Sequence, residues 1–282
     1  VNLSNIEFIV ATRIDNKERA SNVFLSYSFF KLNSINSKFV FVEDSNKPLL
    51  TNFIEIKSED KYIFEQTEGN FRKCRSYNIG FKNTERPYVC FLDLDVIINP
   101  VQILTILDNM VDCDFGLPYN GTCCYLDYVA KNEFAKNQSI ETLKNIVFNS
   151  KNENYLKEIF QIKNWGGIQK FDKFTILGNN SIGGCLVAKR EAIDEIKGFN
   201  ENFVGWGYED SEIISRIRIL GKQIVRTSKY EDVMYHLPHT QSSASTQTPN
   251  NINDYNNNHI EIQKIENKSK EELKTYIESW LW

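Results

Sequence analysis

The run Tyr88-Val89-Cys90-Phe91-Leu92-Asp93-Leu94-Asp95-Val96-Ile97-Ile98-Asn99-Pro100 decides how this chain is read. Its first five residues are apolar and rich in β-formers, as in a buried strand. Two aspartates follow, and Asn99-Pro100 then supplies an N-cap and a first-turn proline for a helix over Val101 to Met110. Upstream, Glu7 to Thr12 (EFIVAT) reads as a buried first strand. Ala20, Val23, Phe24, Tyr27 and Phe30 recur at helical spacing within Glu18 to Leu32. Lys38 to Glu43 (KFVFVE) reads as a second strand ending in a polar turn at Asp44-Ser45-Asn46. A short third strand is expected over Phe53 to Ile56, and a helix over Phe71 to Phe81. Strands alternating with helices favour an open α/β sheet. Ligands of such sheets gather beyond the carboxyl ends of the strands, where Arg13-Ile14-Asp15, Asp44, Asp93 and Asp95 all fall.

The second half is less regular. A helix is expected over Ile140 to Phe160, and a Gly- and Trp-containing loop over Lys163 to Lys173. Gly184 to Lys189 reads as a strand, Arg190 to Ile196 as a helix, and Asp210 to Leu220 as a helix with Ile213, Ile214, Ile217 and Leu220 on one face. Gln241 to Asn258 is rich in Ser, Thr, Asn and Gln and reads as a loop. Ile260 to Trp282 reads as an amphipathic helical tail carrying Ile262, Ile265, Leu273, Tyr276, Ile277 and Trp280.

The formal charge of -4 argues against nonspecific nucleic-acid binding. No apolar run approaches the roughly 20 residues that cross a bilayer, and Val1 to Val10 has the features of no secretory leader. The six cysteines lack metal-knuckle spacing. They are expected to be reduced, mostly buried thiols of a cytoplasmic protein.

Two carboxylates one residue apart after a buried strand can share a cleft. Hard oxygen ligands suit Mg²⁺ or Mn²⁺, which bridge diphosphate oxygens. Alone the pattern is weak, because aspartates at strand ends also cap turns. A more specific stretch is Phe203-Val204-Gly205-Trp206-Gly207-Tyr208-Glu209-Asp210-Ser211-Glu212. The bland reading makes Asp210 an N-cap and Glu212 a helix-dipole partner. Caps leave a Trp framed by glycines unexplained, whereas an aromatic ring beside paired carboxylates suits a sugar with its apolar C–H face and hydroxyl edge. A helix N-terminus there is expected to lower the Asp210 pKa and weaken it as a base.

Phe91 to Pro100 resembles the D-x-D region of GT-A glycosyltransferases. Ser181 to Lys189, Gly198-Phe199-Asn200-Glu201 and Gly205 to Glu212 resemble the galactosyltransferase-like portion of that superfamily. The same order occurs in β1,4-galactosyltransferases and in bacterial chondroitin-polymerase-type family 2 enzymes, and the W-G-x-E-D-x-E form is closer to the bacterial group. The resemblance spans roughly Glu7 to His239. It implies an α/β GT-A (Rossmann-like) fold with a mixed, mostly parallel central sheet flanked by helices. A catalytic domain is expected over residues 1–240, in which residues 1–118 bind the nucleotide and residues 119–240 bind the acceptor and carry catalysis. A loop and tail follow over residues 241–282.

Carried over residue by residue, the resemblance makes Asp95 a metal ligand and lets Asp93 contact the metal or the donor ribose. Asp210 becomes the general base; Trp206, Gly207 and Glu209 hold sugar. Gly183 and Gly184 let the backbone approach the donor. Arg13, Asp15 and Asp44 match the nucleotide-holding positions. Asn78 matches the A-R-N-x-G segment, where Tyr77 replaces the usual Arg and leaves Arg72, Lys73 or Arg75 as substitutes for its phosphate contact. The family's metal-binding histidine matches His236, with His239 as the alternative. The loop from Thr240 to Asn258 is then a candidate lid.

The reaction implied is inverting, metal-dependent transfer of a hexose, galactose or N-acetylgalactosamine first, from a UDP-sugar to a hydroxyl of a glycan acceptor. That acceptor is an oligosaccharide or a lipid-linked glycan of surface polysaccharide synthesis. Trp280, Leu281 and Trp282 either touch a membrane surface at its inner face or pack on the domain. Three rivals stand beside this reading. A retaining polypeptide N-acetylgalactosaminyl-type transferase also has Trp-Gly-x-Glu, usually followed by Asn rather than Asp210. A sugar-nucleotide pyrophosphorylase needs a Gly-rich loop that Ala11 to Asp15 lacks. A non-catalytic carbohydrate-binding protein has no use for the D-x-D site.

Overall fold

The expected strands assemble edge to edge in the computed structural model, which describes residues 1–240, 252–280 and 282. β1 (Ile6–Thr12) is buried along its whole length. α1 (Lys17–Asn33), capped by Asn16, leads to β2 (Lys38–Ser45), which runs parallel to β1. β3 (Lys61–Gln66) lies parallel at the outer edge, and α2 (Lys73–Lys82) leads to β4 (Tyr88–Leu92), parallel to β1 on its other side. Phe8 stacks on Phe39 at 4.7 Å, with Tyr27 edge-on to Phe39 at 5.3 Å, so α1 is sealed onto the sheet by aromatic contacts.

β5 (Val96–Ile97) leaves this sheet, and α3 (Pro100–Asn109) starts at Asn99 with a capping box completed by Gln102. β6 (Phe115–Leu117), β7 (Cys123–Leu126), α4 (Tyr128–Ala135), α5 (Ile140–Val147) and α6 (Glu153–Gln161) follow. Next come β8 (Ile168–Lys170), β9 (Phe174–Leu177), β10 (Cys185–Lys189), α7 (Arg190–Glu195) and α8 (Glu209–Ile219). β11 (Ile224–Arg226), β12 (Met234–His236), α9 (Ile252–Glu266) and α10 (Lys270–Glu278) complete the described chain.

The central sheet has the order β11-β6-β10-β4-β1-β2-β3. Only β10 runs against its neighbours β4 and β6, so the sheet is mixed and mostly parallel, as expected. A second sheet has the order β5-β12-β7-β9-β8. Its pairing sets His236 opposite Val96, the residue after Asp95. No helix among the described residues is long and apolar enough to cross a membrane. All six cysteines are free, and five are buried.

Four local expectations need correction. Residues 53–56 are not a strand: the buried Glu43 carboxylate accepts the Leu49 and Leu50 N–H groups and winds Leu50–Asn52 into a 3₁₀ turn. The third strand is β3, whose half-exposed edge position and charged ends hide its signal. β2 also continues through Asp44 and Ser45, both buried. The helix expected over 140–160 breaks where Asn149 accepts the N–H groups of Lys151 and Asn152, an amide competing with the helical backbone. The loop over 163–173 contains β8, hairpinned to β9.

The loop expected over Gln241 to Asn258 lies outside the described residues up to 251, as does most of the expected lid; from Ile252 it is α9. The tail buries Ile262, Ile265, Leu273 and Ile277. Trp282 stacks on Phe81 at 5.5 Å, and the Trp280 ring lies under the Arg216 guanidinium at 4.9 Å, so both rings pack on the domain.

Candidate active site

The carboxyl ends of β1 and β4, the start of α8 and the end of β12 open into one cavity of about 830 Å³. Arg13, Lys73, Asp93, Asp95, Trp206, Glu209, Asp210, His236 and His239 all line it. The turn after β4 is fixed by backbone bonds: Asp93 N–H donates to the Gly184 carbonyl at 2.9 Å, and Leu237 N–H to the Asp95 carbonyl at 2.7 Å. Asp95 therefore faces the segment that follows β12.

His236, the last residue of β12, and His239, just beyond it, both reach this carboxylate. Asp95 Oδ2 lies 3.0 Å from His239 Nε2 and 3.8 Å from His236 Nε2. One ligand atom from each of the three falls within 4.8 Å of the others. Burial alone would raise the Asp95 pKa, but His236 and His239 outweigh it and hold the carboxyl below its ordinary range. Burial pushes His236 down, against the pull of Asp95, so this imidazole is neutral and ready to ligate. The hydrogen bond to Asp95 raises His239, so a metal would displace that proton. One carboxylate oxygen and two imidazole nitrogens fit Mn²⁺ well and Mg²⁺ less well.

Asp93 stands apart from this donor set. Its oxygens accept from Lys73 Nζ at 3.0 Å and from the Tyr77 hydroxyl at 2.7 Å. Lys73 and Tyr77, four residues apart on α2, share the face turned to the cavity. Of the three cations suggested in place of the missing Arg, only Lys73 lines the cavity. Its ammonium is also 3.5 Å from Asp210 and 3.7 Å from Glu209. Burial works against the charged amine, yet Asp210 and Asp93 raise its pKa well above normal.

The paired carboxylates of α8 behave differently from Asp95. Burial, then the neighbouring Asp210, lifts Glu209 to about 7 in spite of Lys73. Burial raises Asp210 too, with Asp93 adding to the effect and Lys73 opposing it. This reverses the expectation from the helix dipole: desolvation and like charge win at this N-terminus. Nor is Asp210 the N-cap. Tyr208 occupies that place with φ 69°, and Asp210 is already inside the helix. Gly183 leaves room for it, since a Cβ there would collide with the Asp210 carboxylate. The space at Gly184 is likewise taken by Met234 from β12.

Trp206 stands on a turn in which Gly205 (φ 72°) and Gly207 (φ 113°) take left-handed angles. Its side chain is 48% exposed and stacks on Tyr255 of α9 at 5.8 Å, an aromatic that lay in the expected loop. Tyr125, opposite His236 at 4.8 Å, also reaches the cavity without a sequence signal.

Seven residues placed by resemblance do not line the cavity: the glycines Gly183, Gly184 and Gly207, and the side chains Asp15, Asp44, Arg75 and Asn78. Asp44 is buried and spent on Arg13, Thr67 and the Arg72 N–H, so it anchors Arg13. Asp15 pairs with Arg19 at 3.4 Å. Arg75 points the other way along α2 and meets Glu65 at 3.4 Å. Asn78 is buried, with its amide bonded to Phe199 and Glu201. It ties α2 to the 198–201 turn.

With this geometry in view, the comparisons with known proteins are specific about one region. Residues 168–240 match the family model described as the N-terminal domain of galactosyltransferase. A stretch of 48 residues is 40% identical to beta-1,4-galactosyltransferase 7 of Drosophila melanogaster, spanning 17% of this chain and 15% of that protein. The solved catalytic domain of the Drosophila enzyme in complex with xylobiose is similar at TM-score 0.48 and 16% identity, over 94% of this chain and 81% of that one. A mutant of the same enzyme in complex with manganese, UDP-Gal and xylobiose gives TM-score 0.44 and 15% identity, over 88% and 78%. Residues 168–240, which carry the glycine-framed Trp206, Asp210 and both histidines, are thus a galactosyltransferase-like segment set on the mixed, mostly parallel α/β sheet expected of a GT-A domain.

Proposed function

We propose that this chain is an inverting, metal-dependent glycosyltransferase that moves a hexose, galactose or N-acetylgalactosamine first, from a UDP-sugar to a glycan hydroxyl. The observation that carries the reading is the meeting, in one cavity, of the Asp95–His236–His239 donor set with the Glu209–Asp210 pair and an exposed indole. The galactosyltransferase-like sequence of residues 168–240 supports the same class. A divalent cation held by Asp95, His236 and His239 would supply positive charge opposite a departing diphosphate.

The chain's own groups do the rest. Asp210 accepts the proton of the acceptor hydroxyl as that oxygen bonds to the anomeric carbon and the bond to the diphosphate oxygen breaks. Its raised pKa makes it a stronger base than a free aspartate. Lys73 keeps Asp93, Glu209 and Asp210 from repelling one another while leaving Asp210 partly open, with 35% of its side chain exposed. Trp206 offers a flat apolar surface to a pyranose, and Glu209, near half-protonated at neutral pH, can donate or accept at a sugar hydroxyl. Arg13, fixed by Asp44, provides a cation at the donor end. The acceptor we assign is a growing surface polysaccharide or a lipid-linked oligosaccharide, met in the cytoplasm at the inner face of the membrane.

Incubation with UDP-galactose, UDP-N-acetylgalactosamine and UDP-glucose, each with Mn²⁺, Mg²⁺ or chelator, tests this directly. Metal-dependent release of UDP is expected. Its absence with every donor would leave a carbohydrate-binding protein. NMR of the transferred sugar then reads the stereochemistry: retention would assign the chain to the retaining class.

A further inference from the structure

Helix α9 takes no part in the reaction just described, yet one face of it grips the turn that presents Trp206. Asn258, buried, accepts the Val204 N–H at 3.2 Å and donates to the Val204 carbonyl at 2.9 Å. Asp254 lies beside Gly205 and is bonded to Asn70. The Tyr255 ring is nearly parallel to the Trp206 indole, at 14°. Its hydroxyl meets the Tyr208 hydroxyl at 2.9 Å. His259 stacks on the Tyr208 ring at 5.1 Å. Residues 254, 255, 258 and 259 are neighbours on a helix, so a single face makes all these contacts.

The turn needs such a partner. Gly205, Gly207 and Tyr208 all have positive φ, a strained conformation for a side chain as bulky as that of Tyr208. A Cβ at Gly207 would come within 2.8 Å of the Tyr255 ring, so the close approach of α9 requires glycine there. One face of the Trp206 indole is covered by Tyr255, while the residue still lines the cavity and stays 48% exposed. The open surface lies on the same turn as Glu209 and Asp210.

We infer that α9 is a positioning element of the acceptor site. Tyr255 fixes the plane of the Trp206 indole as a platform for the apolar face of a pyranose, so acceptor binding depends on a residue that touches no substrate. The inference rests on the glycosyltransferase reading and names what the site selects: a pyranose with an unobstructed C–H face.

The test separates acceptor from donor. Wild type, Tyr255→Leu, Tyr255→Phe and Asn258→Ala are compared for acceptor-free UDP-sugar hydrolysis and for transfer to methyl β-glucoside, β-galactoside and β-xyloside. Tyr255→Leu keeps bulk without an aromatic face and guards against simple unfolding. We expect it to raise the glycoside KM about 10-fold or more, with donor KM and hydrolysis rate within about 2-fold of wild type. Tyr255→Phe, which loses only the bond to Tyr208, should restore the wild-type acceptor KM, and Asn258→Ala should behave like Tyr255→Leu. An unchanged glycoside KM in Tyr255→Leu, or an equal loss of acceptor and donor function, would overturn the proposal. If wild type hydrolyses no donor, the glycosyltransferase reading falls. Quenching of tryptophan fluorescence by the same glycosides, absent in Trp206→Phe, then decides the platform: it stands if Tyr255→Leu abolishes the quench and falls if the quench persists.

Discussion

Replacing Lys73 by Met removes the one ammonium shared by Asp93, Glu209 and Asp210 while keeping an unbranched side chain of similar length. At the 3.5 Å separating Lys73 Nζ from Asp210, a pair of unit charges in an effective dielectric near 20 attracts by about 5 kcal/mol. Asp210 keeps 35% of its side chain exposed, so solvent screens part of this. About 1.5–3 kcal/mol is a sound expectation, or about 1–2 pH units. The sign follows from the charges. Lys73 favours the ionised carboxylate, so its loss raises the Asp210 pKa further above normal. The acid limb of kcat/KM, where the free enzyme must ionise its base, should move to higher pH by that amount. Lys73→Arg, which keeps the charge, should move it far less. The assay is the pH dependence of kcat/KM for transfer at saturating metal. An acid limb that stays within about 0.3 unit in Lys73→Met would refute the assignment of Asp210 as a base tuned by Lys73. A uniform loss at every pH would instead assign Lys73 to the donor alone.

Three further outcomes follow from the same geometry. Asp210→Asn should lower kcat/KM about 10²–10⁴-fold while UDP-sugar affinity, measured by calorimetry, stays near wild type; lost donor binding in a folded variant would contradict the role. His236→Ala and His239→Ala should each weaken Mn²⁺ binding about 100-fold or more, read by the EPR signal of free Mn²⁺, whereas Asp93→Asn should cost less than about 10-fold. The opposite ranking would return Asp93 to the donor set. Glu209 has a folded pKa of about 7 against an ordinary 4.5, so the folded state binds this proton more tightly and loses stability as pH rises from about 4.5 to about 7. Glu209→Gln should therefore be more stable than wild type by about 3 kcal/mol near pH 8 and no more stable near pH 4. Thermal melts at the two pH values check this, and an equal effect at both would refute it.

What could be read in advance was what neighbouring residues decide among themselves. Tyr88 to Leu92 is apolar enough to be only a buried strand, and Asn99-Pro100 starts its helix through its own capping bonds. Pairing across the chain was not legible. That both His236 and His239 reach Asp95 depends on β12 lying antiparallel to β5, and no local pattern reports such a register. Arg75 and Asn78 show how resemblance can mislead. Asn78 matches a motif and Arg75 is one candidate to replace its missing Arg, but α2 turns Arg75 to Glu65 and Asn78 to Phe199. Lys73 and Tyr77 were available as a pair at helical spacing with the cavity on their side. The break at Asn149 and the edge strand β3 were hidden for opposite reasons, one a side chain overruling a good helical pattern, the other a strand with too little burial to show a period.

The chemistry of the site comes from how packing distinguishes residues of one type. Asp95 and Asp210 are both aspartates on the wall of one cavity, and both are pushed upward by loss of water. Asp95 is drawn back down because the end of β12 and the residues just past it bring two imidazoles to it, so it stays ionised across the working range and suits a cation. Among the described residues Asp210 has only one ammonium, which it shares with two other carboxylates, and so it remains above normal. Environments that separate the pKa values of like groups are what assign one to hold charge and the other to move a proton. The Asp93-Leu94-Asp95 pattern could not carry that distinction, since it counts its two aspartates as equals. The fold does not: Asp93 is paired with Lys73 and accepts a hydrogen bond from Tyr77 on the base side of the cavity, and Asp95 is given to the histidines.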